Sequence, residues 1–273
     1  MLSDGTTTPE ENVRDAIELG LEGLGVTDHD TTAPLARAQA AAEGTGLEIV
    51  GGTEFSAELE GRSVHVLGYW VDPEDAALQT EMDRLRNERE RRAEAIVERF
   101  HRLGIAVAMA RVRELAGAAP IGRPHIAQAV VETGAAETVR EVFDTWLADE
   151  GPAYVPKHAV DPVAAVRLLV EAGGSAVLAH PGLYGARDGD GAEPGLGEAV
   201  IEEMAAAGLS GIEADHPDHT PEQRARYRDL ARALGLEVTA GSDYHGERKT
   251  NQLGSATTPR EVVERLRART RRG

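Results

Sequence analysis

Side chains able to bind metal ions recur in this sequence at or near the end of short apolar runs. Leu24-Gly25-Val26 leads into Thr27-Asp28-His29-Asp30, and Val50-Gly51-Gly52-Thr53 leads to Glu54. His65 sits inside the apolar run Val64-His65-Val66-Leu67-Gly68. Ala176-Val177-Leu178-Ala179 ends in His180-Pro181, and Val238-Thr239-Ala240-Gly241-Ser242 ends in Asp243-Tyr244-His245. Imidazole and carboxylate ligands suit borderline divalent ions such as Zn, Mn or Fe. Each site alone has a plain reading. Asp28 could cap a helix, His65 could be a satisfied core histidine, and His180 could simply end a strand. Asp243 and His245 are harder to set aside, because an acid and an imidazole after an apolar strand are costly to bury unless used. Taken together, five strand-like segments that deliver His, Asp or Glu at or near their C-terminal ends resemble the way a β/α barrel builds an active site.

The elements that must position these groups follow from capping and periodicity. Thr8-Pro9-Glu10-Glu11 is a helix start, with a capping hydroxyl, proline at the first position and acids in the first turn. It predicts a helix from Pro9 to Leu21, then a strand at Gly23 to Thr27 and an Ala-rich helix near Thr32 to Glu43. Strands are expected at Leu47 to Gly52 and Ser63 to Trp70, with Glu60-Gly61-Arg62 turning between extended runs. The alternation favours a parallel sheet. It stops at Asp72-Pro73. From Glu74 to Leu147 the pattern is helical throughout, with one long helix from Met82 to Leu103 and shorter ones near 110–116, 124–133 and 138–148. This block reads as an insertion, so the domains are 1–72 with 150–273, interrupted by a helical subdomain at 73–149. Alternation resumes with helices at 162–172, 198–207 and 221–234, strands at 175–179, 211–214 and 237–240, a Gly-rich loop at 182–197, and a last helix from Pro259.

Bulk composition narrows the function. The chain has 273 residues, enough for one large domain with an insertion. It contains no cysteine, so a metal must be held by His, Asp and Glu. With 29 basic and 47 acidic residues the net charge is −18, which argues against coating duplex DNA. Small phosphorylated substrates remain compatible, because bound metals supply local positive charge. No apolar run reaches membrane-span length, so the expectation is a soluble, cytoplasmic protein without membrane attachment.

In chain order, Ser3-Asp4-Gly5-Thr6, Thr27-Asp28-His29-Asp30, Gly52-Thr53-Glu54, Val64-His65-Val66-Leu67-Gly68-Tyr69, Gly122-Arg123-Pro124-His125, Leu178-Ala179-His180-Pro181, Gly211-Ile212-Glu213 and Gly241-Ser242-Asp243-Tyr244-His245 resemble the PHP (polymerase and histidinol phosphatase) domain family. The similarity is greatest to bacterial members acting on nucleoside 3′,5′-bisphosphates and short RNA. The resemblance implies an α/β fold, a distorted (β/α)7 barrel with two to three divalent metals (Mn, Fe or Zn) at its mouth. It casts Glu54 as a carboxylate bridging two metals, Asp243 as a ligand of the first metal, His65 and His180 as ligands of the second, and Asp4, His29 and His245 as ligands of the third. Asp28 would orient a ligand imidazole. Arg123 and His125 would meet the substrate phosphate from a subdomain over the active site. Glu213, His216 and His219 would line the pocket, with an exposed-loop reading of the two histidines left open. His180, Asp243 and Arg123 are the expected catalytic residues.

The family opens with a strand ending in His-X-His, and Met1-Leu2 stand where that motif should finish. The first barrel strand is therefore expected to be missing from this chain, through a start upstream of Met1 or a natively incomplete site. The implied activity is metal-dependent hydrolysis of nucleotide phosphate esters, as a nucleoside 3′,5′-bisphosphate phosphatase, a 5′-to-3′ exoribonuclease on short RNA, or both. The alternatives are a degenerate metal- or nucleotide-binding module and a histidinol-phosphate-type phosphatase.

Overall fold

The computed structural model describes residues 5–117, 121–148, 151–184 and 195–271. The chain divides into two units, Met1–Asp83 with Ala159–Gly273, and Arg84–His158. In order the elements are α1 (Pro9–Glu18), β1 (Gly23–Val26), α2 (Leu35–Ala42), β2 (Glu48–Leu59), β3 (Arg62–Tyr69), α3 (Ala76–Arg86), α4 (Glu88–Arg102), α5 (Met109–Ala116), α6 (Arg123–Glu132), α7 (Val139–Val142), α8 (Pro162–Glu171), β4 (Ser175–Leu178), α9 (Glu198–Ala206), β5 (Leu209–Asp215), α10 (Pro221–Leu234), β6 (Glu237–Ala240) and α11 (Arg260–Arg267). Among the described residues, no helix is long and apolar enough to cross a membrane.

The first unit carries a six-stranded sheet in the order β1-β2-β3-β4-β5-β6. Pairs β1–β2, β4–β5 and β5–β6 are parallel, as the alternation predicts. The β3 strand is not: it runs antiparallel to both neighbours. The cause is local. Leu59 pairs with Arg62 across Glu60 and Gly61, both at positive φ (50° and 78°). A two-residue connection of this kind can only fold the chain back on itself. The hairpin also lengthens β2 beyond the expected end at Gly52. Within it, a Cβ on Gly52 would meet the Gly68 carbonyl oxygen at 2.2 Å, so that crossing requires glycine.

Helices α1 and α2 cover β1 through Val13, Ala16, Ala38 and Ala42, which pack with Leu24 and Leu47. The capping box at Thr8 forms as expected, with Glu11 N–H donating to Thr8 Oγ1 and Thr8 N–H to the Glu11 carboxylate. Inside the sheet, Leu67, Val177 and Ala179 pack against Val262 and Leu266 of α11. A cavity of about 580 Å³ is lined by residues of β1, β3 and β6, including Leu24, Val26, Tyr69 and Thr239. The sheet therefore curls toward closure as a distorted barrel. Among the described residues β1 and β6 are not hydrogen-bonded to each other, and the cavity lies between them.

The helical unit has its own core of Ile96, Val97, Phe100, Val112, Ile126, Val130, Val142 and Leu147. The single helix expected from Met82 to Leu103 is instead α3 and α4, parted at Asn87 (φ −95°, ψ 3°). Its i,i+4 charge pattern runs across the break, which is why periodicity alone joins the two. The last expected helix, 138–148, is one turn of α7 followed by a π-helix over Phe143–Leu147.

Candidate metal centre

Glu54 is buried in the middle of β2 and gathers three imidazoles. His65 Nδ1 lies 2.7 Å from Oε1, His180 Nε2 3.1 Å from the same oxygen, and His29 Nε2 3.7 Å from Oε2. Ligand atoms of His29, Glu54 and His65 all fall within 4.8 Å of one another. Burial alone would raise the Glu54 pKa, but the hydrogen bonds from His180 and His65 outweigh it and hold the carboxyl well below its ordinary range. His180 is disfavoured as a cation by burial, yet Glu54 next, then Glu213 and Asp243, push its pKa up.

The fold explains how these groups meet. The backbone after β1 continues beside β2, with Glu54 N–H donating to the Asp28 carbonyl and Asp30 N–H to the Glu54 carbonyl. The buried Thr53 hydroxyl fastens the same segment, donating to the Asp28 carbonyl at 3.1 Å. The Asp30 carboxylate accepts Ser56 N–H at 2.8 Å, and burial raises its pKa. The reversal of β3 matters here. His65 lies in the first half of its strand, and only because that strand runs backwards does it reach the end of the sheet where the parallel strands finish. Asp30, His180 and Asp243 all have left-handed backbones (φ 50°, 25° and 49°). Such conformations cost about 1–3 kcal/mol each and gather where a fold holds functional side chains.

A second carboxylate centres the neighbouring group. Asp243 lies 3.5 Å from His216 Nε2 and 3.2 Å from His245 Nδ1, and pairs with the Lys249 ammonium. Burial would raise its pKa; His216 and Lys249 together lower it. His245 Nδ1 also donates to the Asp243 carbonyl oxygen at 2.8 Å, a tautomer that leaves Nε2 as the ring's ligand nitrogen. The two groups adjoin: the His180 and His216 rings are 5.5 Å apart, and those of His29 and His245 6.1 Å. Among the described residues, buried His180 Nδ1 has no hydrogen-bond partner. Buried polar atoms are normally paired, and a divalent metal suits this all-His/carboxylate donor set.

The remaining expected residues fall as follows. Asp4 lies outside the described residues. Asp28 is buried at the head of the segment that clamps Glu54. Glu213 is buried within β5; its Oε2 accepts the His180 amide at 3.0 Å, and burial raises its pKa. A Cβ on Gly241 would meet Glu213 Oε1 at 2.1 Å, so glycine there makes room for this carboxylate. Arg123 and His125 open α6 in the helical unit. Arg123 Nη1 donates to the Leu147 carbonyl at 3.4 Å and its guanidinium lies 5.7 Å over the Phe143 ring, while His125 Nδ1 accepts Gly122 N–H. Lys249 had no sequence signal, because its pairing with Asp243 arises from the loop between them.

Neither His216 nor His219 is exposed (0% and 4%), so the exposed-loop reading fails. His219 is a fully bonded crosslink: Nδ1 donates to the Ala214 carbonyl and Nε2 accepts Gly182 N–H. Burial lowers its pKa. The unfolded chain therefore takes up a proton at higher pH than the folded one, and stability falls as pH drops below the unfolded value of about 6.5. Urea unfolding of the wild type should lose stability more steeply from pH 7 to pH 5 than that of His219→Gln. Equal slopes would mean that His219 does not titrate differently on folding.

Comparison with known proteins gives the family of the chain. The model of the PHP domain matches residues 1–147. The 5′-3′ exoribonuclease Rnm of Salmonella typhimurium is 32% identical over 245 residues, 89% of this chain and 82% of that protein. The 3′,5′-nucleoside bisphosphate phosphatase of Chromobacterium violaceum is 33% identical over 248 residues, 89% of this chain and 84% of that one. Phosphoribosyl 1,2-cyclic phosphate 1,2-diphosphodiesterase of Eggerthella lenta is 35% identical over 250 residues, 90% and 91% of the two chains. A crystal structure from Bifidobacterium adolescentis, provisionally assigned as a metal-dependent phosphoesterase, superposes with a TM-score of 0.69 at 35% identity, covering 98% of this chain and 93% of that one. With a matching family model over more than half its length and relatives aligned across most of it, the chain belongs to the PHP domain family.

Proposed function

We propose that this chain is a metal-dependent phosphoesterase that hydrolyses nucleotide phosphate esters, as a nucleoside 3′,5′-bisphosphate phosphatase, as a 5′-to-3′ exoribonuclease on short RNA, or as both. The observation that carries the reading is Glu54 with three imidazoles, set beside Asp243 and His245. His29, Glu54, His65, His180, Asp243 and His245, with Asp4, would hold two to three divalent ions, Mn, Fe or Zn. Bound there, the ions supply Lewis-acid polarisation of the phosphoryl group and an activated water.

The chain's own residues do the rest. Glu213 fixes the His180 backbone, and Asp28 anchors the segment bearing His29. We assign Arg123 to a terminal phosphate, because a guanidinium fork suits bidentate contact with one. We assign His125 to the same phosphate. The net charge of −18 suits small or short substrates over long polymers.

Chelation tests the metal requirement. Exhaustive EDTA treatment and dialysis should abolish phosphate release from a nucleoside 3′,5′-bisphosphate, and adding Mn²⁺ should restore it. Metal at about a hundred times its Kd adds roughly 2.7 kcal/mol of stability, so removal should lower Tm by roughly 5–10 °C. A panel of nucleoside 3′,5′-bisphosphate, 5′-phosphorylated RNA trimer, a cyclic phosphodiester and histidinol phosphate separates the substrate classes. Turnover of histidinol phosphate alone, or nucleotide binding without turnover in the metal-loaded protein, would overturn the nucleotide-hydrolase reading.

A further inference from the structure

We propose that Tyr184 is a positioning residue whose hydroxyl replaces a rung of the β3–β4 ladder and thereby sets the spacing of His65 and His180. In antiparallel pairing, opposed residues of a hydrogen-bonded pair exchange two N–H···O bonds. The register Val66↔Leu178 and Leu67↔Val177 places His65 opposite Ala179. Half of that exchange is present, with Ala179 N–H donating to the His65 carbonyl at 3.1 Å. The reciprocal bond is interrupted. His65 N–H donates to the Tyr184 hydroxyl at 2.8 Å, and that hydroxyl donates to the Ala179 carbonyl, also at 2.8 Å.

A buried phenol oxygen is thus wedged between two strands at the position where each delivers an imidazole. The ladder ends there: β4 stops at Leu178, and His180 turns left-handed at φ 25°. The ring of Tyr184 lies 6.2 Å from that of His65 and 5.4 Å from that of His180. The two imidazoles stand 5.3 Å apart, and both reach the same Glu54 oxygen. Direct closure of the His65–Ala179 rung would draw the strands together and change that separation. Metal ligands depend on such supporting contacts, whose loss typically costs 10–100-fold in affinity.

This inference rests on the metal-centre reading above, and the test separates the two. Metal-free wild type, Tyr184→Phe and Tyr227→Phe are titrated with Co²⁺ and followed by visible absorption and by Tm. Tyr184→Phe keeps the ring and removes only the wedge. It should bind Co²⁺ about 10–100-fold more weakly, with altered d–d bands. Tyr227→Phe is the control, because its buried hydroxyl donates to the Pro181 carbonyl on the same loop without entering the ladder. It should lose thermal stability but keep wild-type Co²⁺ affinity and spectrum. Wild-type binding and bands in Tyr184→Phe, or equal losses in both variants, would overturn the inference alone. A wild type that binds no Co²⁺ would overturn this inference and the metal-centre reading together.

Discussion

Replacing His180 by alanine is expected to abolish metal-dependent phosphate release, by about a thousandfold or more, while leaving a folded chain. That factor corresponds to the several kcal/mol a metal contributes to stabilising transition-state charge. His180 is buried and shares Glu54 Oε1 with His65. Its loss removes a proposed ligand and leaves the carboxylate with one fewer partner. The backbone there is held independently, by Ala179 N–H on the His65 carbonyl and Leu183 N–H on the His180 carbonyl. The variant should therefore unfold cooperatively with near-wild-type far-UV circular dichroism. Full phosphate release from His180→Ala at saturating Mn²⁺ would remove this histidine from the chemistry.

Glu54→Gln should have a comparable effect on activity and a different effect on stability. Glutamine keeps the shape but not the charge, so it can neither draw the three imidazoles together nor serve as a bridging anionic ligand. Hydrogen bonds to a charged partner contribute about 1.5–3 kcal/mol, so the metal-free variant should be less stable than the metal-free wild type by an amount of that order. The clearer signature is the metal dependence. Mn²⁺ should raise the Tm of the wild type by several degrees and that of Glu54→Gln hardly at all. Equal Mn²⁺-induced shifts in calorimetry would show that the metal is held elsewhere.

The two variants probe what was legible in different degrees. Glu54 and His180 stand out in the sequence because an apolar run leads into each, and burying such a group is costly unless it is used. The cap at Thr8 and the limits of α10 and β6 were equally readable, since they depend on residues within one or two turns, and the β/α alternation carried the parallel pairs. The direction of β3 was not drawn from the alternation, although the short Glu60-Gly61 turn carries it. The break at Asn87 was hidden by a charge pattern that continues across it.

By itself, then, the sequence determined the type of chemistry: which side chains can bind metal, that no thiolate competes, and that each lies beside an apolar strand. Tertiary structure decided the grouping. It brought His29, His65 and His180 to one carboxylate although residues 29 and 180 are far apart in the chain, and it set His216 and Lys249 on Asp243. It turned His219 into a crosslink and placed the Tyr184 hydroxyl in a ladder between two strands. The reason is physical. Local propensity acts over a few residues, whereas the distance between two imidazoles depends on strand direction, register and what is wedged between the strands.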